Sequence, residues 1–267
     1  MASSQLAATE VRARHAGFHR DVMSVAGRAL RSIPRDPEAI YPALVIPIFF
    51  FAVNIGALQD LAEDIPGLDY KAFQLPVAII FAVTGISRAI TLVTDIQTGY
   101  FDRLALTPVS RFSLLLGLMV ADIALVVALT IPVLILGFIV GVRFESGMLG
   151  ILLFIAMAGA WGLAFTGFPY AIALKTGNPA AVNVSFLIFF PFVFLTTIFV
   201  PLEAMTGWLQ AIATYNPVTY LLEGLRSLVT DDWNWPMILQ GLGAIVLVGA
   251  VSMTLAFLAL VGRARRA

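Results

Sequence analysis

Cysteine is absent from the 267 residues, which excludes disulfides and thiolate metal sites. Histidine is nearly absent. His15 and His19 stand four apart and could share a helix face, but a metal site needs more ligands than this pair, so no metal is expected and both are read as solvated or headgroup-facing. No serine sits with a histidine base, and no cysteine nucleophile exists. The pattern G-x-x-x-x-G-K-[ST] does not occur either, so nothing in the chain cradles nucleotide phosphates and Mg²⁺, and no ATPase activity or resident cofactor is expected of it. Charge is the last scarcity: 12% of residues are Asp, Glu, Lys or Arg, against roughly 25% in ordinary globular chains.

Apolar sequence fills that space. Hydrophobic residues make up 60% of the chain and the mean hydropathy is +0.95, which reads as a polytopic, all-α integral membrane protein. Six transmembrane helices are predicted at 39–58, 72–94, 112–141, 148–174, 182–201 and 236–262, since runs near ~20 apolar residues match a hydrocarbon core and barrel strands are far shorter. Pro47, Pro76, Pro132, Pro169 and Pro191 fall inside these runs and predict kinks, not breaks. Thirteen of the sixteen basic residues (Arg12, Arg14, Arg20, Arg28, Arg31, Arg35, Arg88, Arg103, Arg111, Lys175, Arg263, Arg265, Arg266) fall on one side of this layout. The other side keeps Lys71, Arg143 and Arg226 among many carboxylates, so the positive-inside rule places both termini in the cytoplasm. The expected organisation is a cytoplasmic N-terminus at 1–37, a six-helix membrane domain at 38–262 and a basic cytoplasmic tail at 263–267.

No apolar stretch follows the early arginines, so residues 1–37 do not read as a secretory signal peptide. Within them Val22, Ala26, Ala29 and Ile33 form one helical stripe, with Arg20, Arg28 and Arg31 on the polar side. An amphipathic interfacial helix is one reading and a helix packed on another subunit is the other. Inside the spans, Arg88 and Asp122 lie at depths of roughly 10 and 16 Å at 1.5 Å per residue, close enough for an intramembrane pair. A structural pair, a snorkelling Arg88 with an independently hydrated Asp122, and a proton relay or substrate-cation site at Asp122 are the open readings. Phe49, Phe50, Phe51, Phe186, Phe189, Phe190, Phe192 and Phe194 make spans one and five aromatic, either as a substrate path for amphiphilic cargo or as bundle packing and lipid-facing surface. Ala156, Ala160 and Ala164, with Gly137 and Gly141, are small residues at four-residue spacing that permit close helix approach.

Two polar stretches interrupt the apolar sequence. "QTGYFDRLALTPVSR", 97–111, reads as a short helix from Thr98 to Leu106 with Tyr100, Phe101 and Leu104 on one side, ended by Thr107-Pro108, with Ser110 as a cap for the next span. It is either an offered aromatic patch or a hairpin loop whose rings rest in the headgroups. The stretch 201–235 is too polar to span, and two short helices broken at Asn216-Pro217 would bury its apolar residues as a re-entrant pair; an ordinary loop with interfacial aromatics is the alternative.

"GYFDRLALTPVSR" resembles the segment after the second span in the ABC-2-type transporter permease family, above all the membrane subunits of daunorubicin-resistance-type drug exporters, and "NPVTYLLEGLRSL", 216–228, is similar to a second signature of that family. The order of parts agrees over essentially the whole chain. The resemblance implies that the first segment is a cytoplasmic coupling helix docking into an ATP-binding subunit, through Gly99, Tyr100, Phe101, Asp102, Arg103, Leu104, Leu106, Thr107, Pro108 and Arg111. It implies that the second is a re-entrant extracytoplasmic pair capping the exit, with Trp208, Asn216, Pro217, Tyr220 and Glu223; Thr206-Gly207 departs from the proline-glycine of many relatives. It further implies a separate nucleotide-binding ATPase subunit in two copies that supplies ATP and Mg²⁺, a second permease subunit (itself or a related chain) and membrane lipid around both. The implied cargo is an amphiphilic small molecule or lipid, exported by alternating access across a bacterial plasma (inner) membrane, and no nucleic-acid partner is expected. Efflux, multidrug or antibiotic resistance and lipid export are the implied roles. The competing class is an ion-coupled secondary transporter using Asp122, which would ordinarily show several paired intramembrane charges.

Overall fold

A computed structural model describes residues 17–33, 37–62, 65, 67–84, 87–100, 103, 111–231 and 233–265. Every long element among them is a helix: α1 (Phe18–Ser32), α2 (Pro37–Ala62), α3 (Tyr70–Thr84), α4 (Ala89–Gln97), α5 (Arg111–Val140), α6 (Gly147–Thr176), α7 (Pro179–Phe194), α8 (Gly207–Tyr215), α9 (Pro217–Thr230) and α10 (Trp235–Ala264). Asparagine sets three of the starts. Asn178, Asn216 and Asn234 precede α7, α9 and α10, and each side chain accepts a backbone N–H from the first turn, with proline in that turn, where its missing N–H is not needed. The five expected internal prolines all lie inside helices.

Among the described residues, five stretches are long and apolar enough to cross a membrane: Ile40–Asp60, Tyr70–Gln97, Phe112–Val140, Gly147–Thr176 and Trp235–Arg263. They correspond to the first four and the last of the predicted spans, and two details differ from expectation. The second stretch holds two helices, α3 and α4, rather than one. The fifth predicted span, 182–201, contributes only α7, whose 16 residues reach about 24 Å at 1.5 Å per residue, short of a ~30 Å hydrocarbon core. Residues 195–200 turn and bend instead of continuing the helix, for reasons given below.

The apolar interior divides into two cores. One joins α3 (Leu75, Ile79, Ile80), the second half of α5 (Val126, Leu129, Val133), the first half of α6 (Phe154, Met157, Trp161) and α9 (Leu221, Leu222, Leu225). The other joins α4 (Leu92, Val93), the first half of α5 (Leu114, Leu118, Ala121), the end of α6 (Tyr170, Leu174) and the end of α10 (Ala256, Leu260). Thus α5 and α6 run through both cores, whereas α3 and α4 each belong to one. Ala164, one of the small residues picked from the sequence, touches α10 through Gly249 and accepts a hydrogen bond from the Ser252 hydroxyl at its carbonyl.

The amphipathic α1 lies along α5 of its own chain. Ala26 and Ala29 are buried and Val22 and Ile33 partly so, which places the apolar stripe towards α5. Small residues make the approach possible: a Cβ on Gly117 would stand 2.5 Å from Val25 Cβ and 2.9 Å from the Val22 carbonyl oxygen. Phe18, Met23 and Leu30 stay exposed beside the stripe, and Phe18 stacks on Phe112 of α5 at 6.2 Å between centroids. Gly117→Val is therefore expected to lever α1 off α5 at a cost of about 1–3 kcal/mol, the usual range for overpacking. Trypsin cleavage after Arg28 and Arg31 in isolated membranes should accelerate; an unchanged cleavage rate would mean that this contact does not hold the helix.

Candidate functional site

At the exit of α4, Thr98 and Gly99 form a turn with Gly99 at φ +70°, and Tyr100 and Arg103 follow in helical conformation, both exposed. Neighbouring elements fix this turn from two sides. Arg28 of α1 donates from Nη2 and Nη1 to the two carboxylate oxygens of Asp95 at 2.7 and 3.3 Å, and its guanidinium lies 4.8 Å over the Tyr100 ring. These hydrogen bonds to Asp95 hold Arg28 above its ordinary range. Gln97 donates to the carbonyl of Gly177 at the end of α6 at 3.0 Å. Phe101, Asp102, Leu104, Leu106, Thr107, Pro108 and Ser110 lie outside the described residues, as do His15 and the side chain of Arg111.

At the start of α4, Arg88 and Asp122 are neighbours through the backbone: the Arg88 N–H donates to Asp122 Oδ1 at 2.8 Å. The Tyr170 hydroxyl of α6 donates to the other carboxylate oxygen at 2.6 Å. Asp122 is 0% exposed.

The phenylalanines divide by face. Phe51 and Phe189 are buried in the first core, Phe49 is 67% exposed, and Phe190, Phe192 and Phe194 are exposed on α7. Phe50 joins Phe81, Phe194 and Phe199 in a tilted and edge-on ring cluster with centroids 5.1–6.5 Å apart. The Phe186 side chain lies outside the described residues.

At the far end from α1, the segment 201–235 forms the two helices α8 and α9, broken at Asn216. Trp208 is exposed, Glu223 is half-buried, and the Tyr220 hydroxyl donates to the Thr214 carbonyl at 2.6 Å. Asn216 is buried and does two jobs. Its oxygen caps α9, while its Nδ2 donates to the carbonyls of Phe192 and Leu195 at 2.6 and 3.1 Å, closing off the end of α7. Arg226 completes the arrangement: Nη1 and Nη2 donate to the hydroxyl and carbonyl of Thr197 at 2.8 and 2.6 Å, and Nε donates to the Phe73 carbonyl at 3.1 Å. The same guanidinium stacks 3.5 Å over the Phe73 ring. Gln74 of α3 donates to the Ile198 carbonyl at 2.7 Å. Side chains from α3 and from the start and body of α9 thus supply the donors that a continuing α7 helix would have used, which is why the chain can be non-helical at 195–200 with Thr196, Thr197 and Ile198 buried.

Arg226, Thr197, Gln74, Arg28 with Asp95, and Tyr170 were not among the residues selected from sequence. Arg226 carried a signal, as a lone cation on the apolar face of "YLLEGLRSLV", and so did Gln74 as an amide inside an apolar run. Among the described residues no group of three metal-ligating side chains occurs.

The sequence profile described as ABC-2 type transporter matches residues 20–230. The chain is 27% identical over 209 residues to "Daunorubicin resistance ABC transporter permease protein DrrB1" of Streptomyces coeruleorubidus, covering 76% of this chain and 72% of that one. It is 30% identical over 203 residues to "Probable doxorubicin resistance ABC transporter permease protein DrrC" of Mycobacterium tuberculosis, covering 74% and 73%.

Arg226→Ala would leave the carbonyl of Thr197, which stands outside any helix, without its Arg226 donor, and would remove the second donor of the Phe73 carbonyl and the stacking on the Phe73 ring, at about 1–3 kcal/mol for the group left unpaired. Detergent-purified protein should show a clear fall in Tm, and Arg226→Lys should recover only part of it, since an ammonium neither forks nor stacks as a guanidinium does. Full recovery by lysine would show that charge alone, without the fork, suffices.

Proposed function

The chain belongs to the ABC-2 type transporter family, and we propose that it is the membrane-spanning permease subunit of an ATP-driven exporter that moves amphiphilic drugs or lipids from the cytoplasm or inner leaflet by alternating access. The observation that carries this reading is the construction around Tyr100 and Arg103. Both side chains are exposed, yet the backbone beneath them is pinned to α1 by Arg28 and to α6 by Gln97. A surface that takes a push from a soluble partner requires both properties, exposure and a stiff footing.

With no nucleotide-binding sequence in the 267 residues, ATP and Mg²⁺ act on a separate ATPase subunit, in two copies, docking on residues 99–111. In this arrangement α2, α3 with α4, α5, α6, α7 with residues 195–201, and α10 are the six crossings, both termini are cytoplasmic, and α8 with α9 form a re-entrant pair that caps the extracytoplasmic exit. The domain limits are those of the sequence reading, 1–37, 38–262 and 263–267. A second permease, itself or a related chain, completes the path in a bacterial inner membrane. The exposed rings of Phe49, Phe190, Phe192 and Phe194 suit amphiphilic cargo; Phe51 and Phe189, buried in this conformation, support that face from behind. Relatives named for daunorubicin and doxorubicin resistance favour drug efflux over lipid export. Ion coupling through Asp122 has less support, because both carboxylate oxygens are already engaged by protein donors.

Affinity purification from native membranes in mild detergent tests the proposal. An ATPase carrying a Walker motif should co-purify, and Phe101→Ala with Arg103→Ala should weaken its retention or its ATP-dependent export by about tenfold. A wild-type chain recovered alone and without ATPase activity under several detergents would overturn it.

A further inference from the structure

The second apolar stretch changes helix in mid-course, and its two helices join different cores. α3 ends at Thr84 in the core shared with α9, and α4 starts at Ala89 in the core shared with the ends of α6 and α10. What holds the start of α4 is a carboxylate from another helix. Arg88 is the N-cap of α4, and its N–H donates to Asp122 of α5, while Ala89 N–H donates to the Ser87 hydroxyl at 3.1 Å. A carboxylate beside a helix N-terminus also meets the positive end of the helix dipole, a favourable placement in an interior that cannot hydrate either. The second oxygen of Asp122 takes the Tyr170 hydroxyl of α6, so three helices meet at one side chain.

The other end of α4 is tied to the same neighbours. Gln97 reaches the last carbonyl of the α6 cap, and Asp95 is held by Arg28 on α1, which itself lies along α5. Along its length α4 packs on α6 and α7. Hence both ends of α4 are bonded, directly or through α1, to α5 and α6.

We propose that Asp122 is a positioning residue that locks the start of α4 to α5 and α6, so that displacement of the 98–111 segment enters the bundle through α5 and α6 rather than along the second span into α3. Asp122 then acts as an anchor and carries no proton or cation during transport. The functional half of this statement rests on the permease reading above; the mechanical half does not.

The absence of cysteine from the chain makes the test direct, because a labelled pair needs no prior removal of native thiols. Thr94→Cys on α4 and Met148→Cys near the start of α6, both exposed sites, are spin-labelled in the protein purified with its co-purifying ATPase and reconstituted in vesicles. The expected result is one narrow 94–148 distance that changes by less than about 2 Å between nucleotide-free and ATP-trapped states, the scale of packed helices that stay together. Asp122→Ala should broaden that distance and lower export per ATP hydrolysed by about tenfold, a loss within the usual span of coupling between sites. Asp122→Asn keeps an acceptor for Arg88 and can donate to the Tyr170 oxygen, so it should restore both readouts to within about threefold.

A shift near one helical turn, ~5 Å, in the wild type overturns the proposal. So does an unchanged narrow distance in Asp122→Ala, and so does an Asp122→Asn protein with a narrow distance but no export, which would mark a titrating carboxylate. If Asp122→Ala does not accumulate, Tyr170→Phe removes one of the two bonds and takes its place under the same criteria. If no ATPase co-purifies, the distance comparison among Asp122 variants is read in the chain alone, so loss of the permease reading and loss of the anchor are told apart.

Discussion

Helices that stop inside a membrane bundle leave amides and carbonyls that lipid cannot hydrate, and this fold depends on how those groups are met. Two stops matter, the start of α4 and the end of α7. The first exposes N–H groups and is answered by acceptors, Asp122 and Ser87. The second exposes carbonyls and is answered by donors, Asn216, Arg226 and Gln74. The sign of each partner follows from the helix end that it faces. Because every partner comes from another part of the chain or from the adjoining turn, each satisfied stop is also a joint between elements.

Joints of this kind explain why the chain's few buried charges sit where they do. Arg226 is 7% exposed, an expensive position for a cation, yet its five donors and flat face match a carbonyl, a hydroxyl, a second carbonyl and an aromatic ring at once. The α5–α6 connection is drawn to the same place, with the Glu145 N–H donating to the Val229 carbonyl at 3.0 Å and the Ser146 hydroxyl to that of Leu228. Thus α9, the first turn of α3, the end of α7 and the α5–α6 connection share one polar framework beside an apolar core.

Hydropathy made the long elements legible and hid the stops. Residues 72–94 and 182–201 each pass as one span by hydropathy, and the polar residues within them, among them Thr84, Ser87 and Arg88 in the first and Thr196 and Thr197 in the second, do not by themselves mark where the chain leaves the helix. The cause lies elsewhere: Asn216 and Arg226 act across about twenty to thirty residues of sequence on the end of α7, and Asp122 acts from α5 on the start of α4. The "NPVTYLLEGLRSL" stretch could be read as two helices with an Asn-Pro start, because capping is local. The task of its arginine could not, because the carbonyls that it serves belong to α3 and to residue 197. Likewise the stripe Val22, Ala26, Ala29 and Ile33 fixed that α1 buries one face, while the missing side chain at Gly117, which decides what that face meets, is visible only once α5 is beside it. Aromatic content in spans one and five was plain from sequence, but neighbouring phenylalanines point to opposite environments: Phe51 is 1% exposed and Phe49 67%.

Apolar packing alone is a poor transmitter between helices in a bilayer, since lipid tails are as apolar as leucine and sliding costs little. Hydrogen bonds have direction and fix register. Each interhelical bond in a membrane protein is nevertheless worth only about 0.6 kcal/mol on average, up to about 1.7. Three elements of polar contact bind α4, namely Asp122 at its start, Gln97 at its end and the Arg28 clamp beside it. Together they amount to about 2–5 kcal/mol on that scale, the same order as the 1–3 kcal/mol by which coupled sites commonly influence one another. A joint much weaker than this would slip before it passed on a push, and one much stronger would hold the bundle in a single state. The polar ties of α4 therefore fall in the range where a helix can be carried by its neighbours and still be released, which apolar contacts of equal area in lipid would not achieve.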